Sequence, residues 1–190
     1  MDFGAYPVDQ GRWDDLVELF GPNGGTRGCW CMARRLAGSE VAVNGSAENR
    51  AALAGLVRAG MPVGLIGYVD ERPAAWCAVA PRTEYYAIIR SRTLPIDEPD
   101  DESIWAINCL FVRRGYRGQG LTLPMIEAAI DYARTSGARM VEAYPIKTMP
   151  GDPGRGMLST FQAAGFTVYA EERTRAKRNV VVRRSLSTAG

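Results

Sequence analysis

Residues 104–134 constrain this chain more than any others. Ile104–Val112 is a nearly continuous apolar run bounded by charge, the pattern of a strand buried on both faces. Arg113-Arg114-Gly115-Tyr116-Arg117-Gly118-Gln119-Gly120 follows it directly. A helix then starts at once over residues 121–134, with Met125, Ile126, Ala129, Ile130 and Ala133 on one stripe and Pro124 in its first turn. Glycines let a backbone approach a ligand closely, and free N–H groups at a helix N-terminus attract anions. The neighbouring arginines favour phosphate. The turn fits neither the dinucleotide GxGxxG pattern nor a P-loop, which ends in Gly-Lys-Ser/Thr.

The remaining segments place this unit in a single domain. Trp13, Leu16, Val17 and Phe20 have helical spacing over residues 13–20, and Gly21-Pro22-Asn23-Gly24-Gly25 ends that helix. The loop beyond carries Cys29-Trp30-Cys31-Met32. Ser46 reads as the N-cap of a second helix with Leu53, Leu56 and Val57 on its face, stopping near Gly60. Strand-like runs at 63–69 and 74–79 form a hairpin with a loop of about four residues, Asp70 to Pro73. A short helix at 84–90 precedes an acidic, proline-rich connection at 95–102. After the central helix come a strand at 140–145, a glycine-proline loop at 149–156, a short helix at 156–164, and strands at 166–171 and 180–186. The fold class is α/β (α+β): one domain over residues 1–190, with a mixed central sheet flanked by helices. There are no repeats and no dividing linker.

Composition narrows the chemistry. Among 190 residues there is no histidine, so Ser-His-Asp and Cys-His devices and imidazole zinc sites are excluded. Proton transfer falls to carboxylates, tyrosine, serine, cysteine, backbone or water. All but Lys147 and Lys177 of the 23 basic residues are arginine, yet the net charge is only +2, so nucleic acid is not an expected partner. Four cysteines (Cys29, Cys31, Cys77, Cys109) are too few for a disulfide framework at this size, and the Cys29-Trp30-Cys31 spacing suits zinc poorly. The N-terminus lacks signal-peptide features, and no apolar stretch approaches 18 residues. The expectation is a reduced, cytoplasmic protein without a membrane or metal partner.

Arg117-Gly118-Gln119-Gly120, after a Val-x-x-x-Tyr lead and before a helix, resembles the acyl-CoA signature Gln/Arg-x-x-Gly-x-Gly/Ala of the GCN5-related N-acetyltransferases. The upstream hairpin, the strand at 140–145 and Ala163-Ala164-Gly165-Phe166 agree with that family's order. The resemblance runs from about residue 63 to 186 and is concentrated in 110–137. It implies an acyltransferase using acetyl-CoA, acting on an amine by direct attack in a ternary complex. It also implies that the pantetheine arm runs along the backbone of Leu110, Phe111 and Val112. The pyrophosphate would rest on the amides of Arg117, Gly118, Gln119, Gly120, Leu121 and Thr122. The last motif position is Thr122 rather than glycine or alanine; because these contacts are backbone ones, binding is expected to survive.

The sequence departs from the family at the catalytic positions. Trp105-Ala106-Ile107-Asn108-Cys109 contains no acid where many members place a glutamate. Glu142, inside the apolar strand Met140-Val141-Glu142-Ala143-Tyr144, and Glu102, ahead of the central strand, are the candidate bases. Asn108 is either a water holder or a structural amide. Phe161 stands where a tyrosine commonly protonates the leaving thiolate, so Ser159 and Tyr144 are the substitutes.

The acceptor side is placed at residues 13–60 and 83–102. Trp30 is either an acceptor-pocket wall or a loop residue tucked onto the core. Tyr85 and Tyr144 are further acceptor-binding candidates. Asp97 to Glu102 holds five acids in six residues, either as a solvated loop or as an attractor of a cationic acceptor. Together these favour a small-molecule amine, such as an aminoglycoside-like antibiotic, with resistance or self-protection as its role. The alternatives are a protein N-terminal or lysine acetyltransferase and a non-catalytic acyl-CoA binder. A monomer or homodimer is expected.

Overall fold

In the computed structural model, residues 2–36, 40, 44–147, 156–175 and 179–186 are described. They contain seven strands: β1 (Phe3–Pro7), β2 (Leu65–Val69), β3 (Arg72–Pro81), β4 (Ile104–Val112), β5 (Met140–Ala143), β6 (Thr167–Glu171) and β7 (Val180–Ser185). Five helices accompany them: α1 (Trp13–Phe20), α2 (Ser46–Arg58), the one-turn α3 (Tyr86–Ile89), α4 (Thr122–Thr135) and α5 (Leu158–Ala163). The strands form one sheet in the order β1-β2-β3-β4-β5-β7-β6. Only β4 and β5 run parallel; α4 makes the crossover between them.

Both faces of the sheet are covered. The stripe Met125, Ile126, Ala129, Ile130 and Ala133 of α4 packs with Phe161 and Phe166 against Cys77, Ile107, Leu110 and Val141. On the opposite face, Leu16, Phe20, Leu53 and Val57 from α1 and α2 cover Ile66, Trp76 and Ala78. Beside them, Tyr85, Ile88 and Leu94 cover Ala80, Ala106, Tyr144 and Val181. Each fully buried large aliphatic or aromatic side chain contributes on the order of 1.5–3 kcal/mol through area removed from water. The expected α/β architecture is therefore the observed one.

Three local readings change. β1 is an edge strand that the periodicity did not announce; it pairs antiparallel with β2 from Phe3↔Val69 to Pro7↔Leu65. The hairpin loop is tighter than four residues. Asp70 and Glu71 both take left-handed φ (47° and 64°), and Pro73 lies within β3 opposite Tyr68. Ser46 does not cap α2: Gly45 holds that position, and the Ser46 hydroxyl instead accepts the Trp30 Nε1–H at 3.0 Å.

Candidate functional site

The parallel pairing of β4 with β5 stops at Ile107↔Ala143, yet β4 continues to Val112. Opposite, β4 pairs with β3 through a register shift: Ala78 faces Cys109 and Val79 faces Ile107, which leaves Asn108 as the extra residue of a bulge. Bulge and early termination together open the sheet. Among the described residues, the β5-facing edge of β4 beyond Ile107 has no strand partner, and a groove of about 430 Å³ begins there. Its walls are Cys109, Leu110, Phe111 and Val112 on one side and Ile146, Met157 and Thr160 on the other. Thr26, from the loop after α1, also reaches it. Among these lining residues there is no carboxylate.

The groove runs into the turn before α4. Arg117, Gly118, Gly120, Leu121 and Thr122 line it, while Gln119 turns its amide back to donate to the Gly115 carbonyl at 3.2 Å. Gly118 and Gly120 have φ of 76° and 78°, and a Cβ on either would meet no atom within 4 Å. Backbone conformation, not crowding, demands glycine there. No side chain caps α4. Among the described residues no acceptor meets the N–H groups of Gly118, Gln119, Gly120, Leu121 or Thr122. Unpaired amides and the positive end of a 14-residue helix dipole converge on the groove mouth. Arg117 donates Nε–H to the Val112 carbonyl at 2.9 Å, closing the free strand edge where the turn begins. A free strand edge leading to an amide-lined turn suits an extended amide-bearing arm that ends in phosphates.

Glu142 lies elsewhere. Its side chain is fully buried on the face opposite α4. The Arg82 Nη1 donates to Oε1 at 2.9 Å, Arg183 Nε to the same oxygen at 2.7 Å, and the Tyr144 hydroxyl to Oε2 at 2.9 Å. Arg183 also binds the Asp97 carboxylate and stacks on the Tyr169 ring, whose hydroxyl donates to Asp97 at 2.9 Å. Two guanidiniums and two carboxylates alternate, so the cluster is electrically balanced. The Arg183 contact holds the Asp97 carboxyl below the ordinary carboxylate range. Burial first, and then Glu142, push the Tyr144 hydroxyl well up. This network ties β5 and β7 to the turn after β3. Neither Glu142 nor Tyr144 is among the residues that line the groove.

The other expected site residues separate similarly. Glu102 is exposed ahead of β4, whose Ile104 is about 13 Å short of Asn108 at the strand rise of about 3.3 Å per residue. Ser159 is exposed on α5, and its neighbour Thr160 is the hydroxyl that lines the groove. Phe161 is buried edge-on against Phe166.

Tyr85 is buried, with Arg35 over its ring and no partner for its hydroxyl among the described residues. Trp30 is 3% exposed, stacks on Trp13 and meets Phe20 edge-on, and with Trp13, Ser46 and Arg50 it lines a separate pocket. The acidic run is neither free nor fully solvated. Arg139 pairs with Glu98 (3.0 Å) and Asp101 (2.6 Å), and the half-exposed Asp97 pairs with Arg82 and Arg183. Residues 149–155 of the glycine-proline loop, and Lys177, lie outside the described residues.

Sequence reasoning missed Thr26, Thr160 and the thiol side of the groove. The only signal was the spacing of Cys109 from the turn.

A family profile described as "Acetyltransferase (GNAT) family" matches residues 41–151, more than half of the chain. No curated protein matches. Solved structures share the fold. The PaiA N-acetyltransferase of Thermoplasma acidophilum, in complex with coenzyme A, is 11% identical with a TM-score of 0.57, over 98% of this chain and 100% of that one. The ribosomal-protein-S18-alanine N-acetyltransferase of Escherichia coli is 12% identical with a TM-score of 0.54, over 100% and 97%. A Brucella melitensis acetyltransferase in complex with acetyl-CoA is 13% identical with a TM-score of 0.52, over 98% and 89%. At these identities the likeness is one of fold.

Proposed function

The chain belongs to the GNAT acetyltransferase family and is an acetyl-CoA-dependent N-acetyltransferase, and from that premise we propose that it acetylates a primary amine of a small molecule by direct attack in a ternary complex. The observation that carries this reading is the free edge of β4 running into the unpaired amides before α4. Acetyl-CoA supplies the activated acetyl group, and the chain supplies position. Leu110, Phe111 and Val112 hold the pantetheine arm through their backbone. The amides of Gly118 to Thr122, with the α4 dipole and Arg117, hold the phosphates.

The thioester end then lies near Cys109 and Asn108. An amine bound there must shed a proton, because an alkyl ammonium titrates near 10.4. With no carboxylate among the described residues lining the groove, water hydrogen-bonded to hydroxyls such as Thr160 and Thr26 carries it away. A thiol titrates near 8.5, so the departing thiolate needs less assistance. This fits a site with Phe161, not a tyrosine, on α5.

The electrostatics favour a small amine of low charge. Three acids of the 97–102 run already pair with Arg82, Arg139 and Arg183, which removes the main attraction for an aminoglycoside-like polycation. Initial rates with a panel of monoamines, polyamines, aminoglycosides and peptide N-termini test the reading. Intersecting double-reciprocal lines, with monoamines at least matching polyamines in kcat/KM, are expected. Parallel lines would overturn the ternary complex, and an exclusive preference for peptides would overturn the small-molecule assignment.

A further inference from the structure

The thiols beside the groove have no part in amine acetylation, and they are arranged. Cys109 is half-buried and lines the groove on β4. From Arg113, where the turn begins, to Cys109 the strand covers about 13 Å at about 3.3 Å per residue. That places the Cys109 thiol at the end of the groove opposite the phosphate-binding amides. Cys31 is buried in the apolar cluster against which Cys109 packs, and its sulfur accepts the Trp76 Nε1–H at 3.0 Å. Trp30 and Cys31 hold left-handed φ of 43° and 54°, a conformation that costs a non-glycine residue about 1–2 kcal/mol. Cys29 lies two residues earlier on the same loop. All three thiols are free.

We infer that Cys109 and Cys31 form a thiol–disulfide exchange site whose substrate is the disulfide of coenzyme A. The inference rests on the placement of the CoA arm along β4. One CoA half occupies the groove, so the disulfide lies against Cys109. The Cys109 thiolate attacks the nearer sulfur; the S–S bond breaks, and the outer CoA leaves as thiolate and takes a proton from water. The product is a Cys109–S–S–CoA mixed disulfide.

Cys31 then attacks the Cys109 sulfur. A Cys31–Cys109 disulfide forms, and the second CoA is released as thiol. Two protein thiols are oxidised and one CoA disulfide is reduced to two CoA thiols, so atoms and electrons balance. The departing CoA thiolate takes up the proton that Cys31 gives up. The oxidised site has lost the free thiol from the acetyl end of the groove and joined the loop after α1 to β4.

The test is mass spectrometry of the whole folded protein after incubation with CoA disulfide, with glutathione disulfide as comparator. Wild type should lose two hydrogens at the Cys31–Cys109 pair. Cys31→Ala should trap one CoA on Cys109, and Cys109→Ala should show neither product. CoA disulfide should react at least about tenfold faster than glutathione disulfide, since the groove raises its effective concentration. Reduced CoA should protect, and dithiothreitol should reverse the change.

An unmodified wild-type protein that still binds CoA by calorimetry would overturn the exchange site and leave the groove assignment standing. Equal rates with both disulfides would instead show that the groove does not hold CoA. An adduct on Cys29 or Cys77 in Cys109→Ala, at the wild-type rate, would also overturn the inference. Near-ultraviolet circular dichroism of each variant confirms that it is folded.

Discussion

Arg82 and Glu142 meet at 2.9 Å with neither side chain exposed to solvent. They join the turn after β3 to the strand that stops short of β4. Removing one partner of such a pair leaves the other charged and desolvated, which costs about 3–5 kcal/mol. Glu142→Ala should therefore lower stability by about that amount in urea titration. Assayed well below its melting temperature, the folded variant should keep kcat within a few-fold and an unchanged pH–rate profile. A kcat loss of about a hundredfold or more with a displaced pH profile, the scale of a lost general base, would restore Glu142 as the base.

Gly120 separates strain from charge at the phosphate-binding turn. A Cβ there meets no atom within 4 Å, so Gly120→Ala pays only for its left-handed φ of 78°, about 1–2 kcal/mol. Gly120→Glu adds a carboxylate where phosphates bind, and like charges brought together cost several kcal/mol. Calorimetry should show CoA affinity falling about a hundredfold or more for Gly120→Glu, and much less for Gly120→Ala. Similar affinities for both variants would move the phosphates elsewhere.

Cys29 should be the reactive thiol at low pH. Its thiolate is favoured from about pH 6 upward, mainly by the Cys31 S–H and then by backbone amides. Iodoacetamide alkylation of Cys29, followed by peptide mapping, should be half-maximal near pH 6. An ordinary thiol would give a midpoint near 8.5. Cys31→Ala should move the midpoint upward.

Asp101 gives the fold a defined acid response. The Ser103 hydroxyl first, and then Arg139, hold its carboxyl down to about 2. The folded value lies below the unfolded one of about 3.9, so its contribution is complete above about pH 4 and is lost as pH falls through about 2. The stability advantage of wild type over Ser103→Ala should be constant from pH 7 to 5 and close between about pH 4 and 2. A gap that persists at pH 2 would mean that Ser103 acts by packing instead.

How legible each part was follows from where its partners lie in the chain. β4, the turn and α4 declare themselves, because a buried strand, left-handed glycines and an apolar stripe are local signals. β1 does not: five residues ending in Pro7 acquire strand identity only from β2, some 60 residues on. Asp70-Glu71 is a two-residue turn without the Asn or Gly that usually marks one.

The site divides the same way. Glycines at the groove mouth were readable, but the roles of Glu142 and Trp30 were set at a distance. Arg82 and Arg183 lie 60 and 41 residues from Glu142, and Ser46 lies 16 from Trp30. An acid in an apolar strand looks alike in sequence whether it faces a cleft or two arginines. The acidic run after Pro95 misleads for the same reason, since Arg139, just ahead of β5, and Arg183 of β7 reach it.

The central claim is that the free β4 edge and the α4 turn hold acetyl-CoA for attack by an amine. Thiol release from acetyl-CoA, followed across the amine panel with wild type and Gly120→Glu side by side, tests it most directly. Amine-dependent release by wild type, lost in a folded Gly120→Glu, is the predicted result. No release above background with any amine from a wild-type protein that still binds CoA, or full activity in Gly120→Glu, would contradict it.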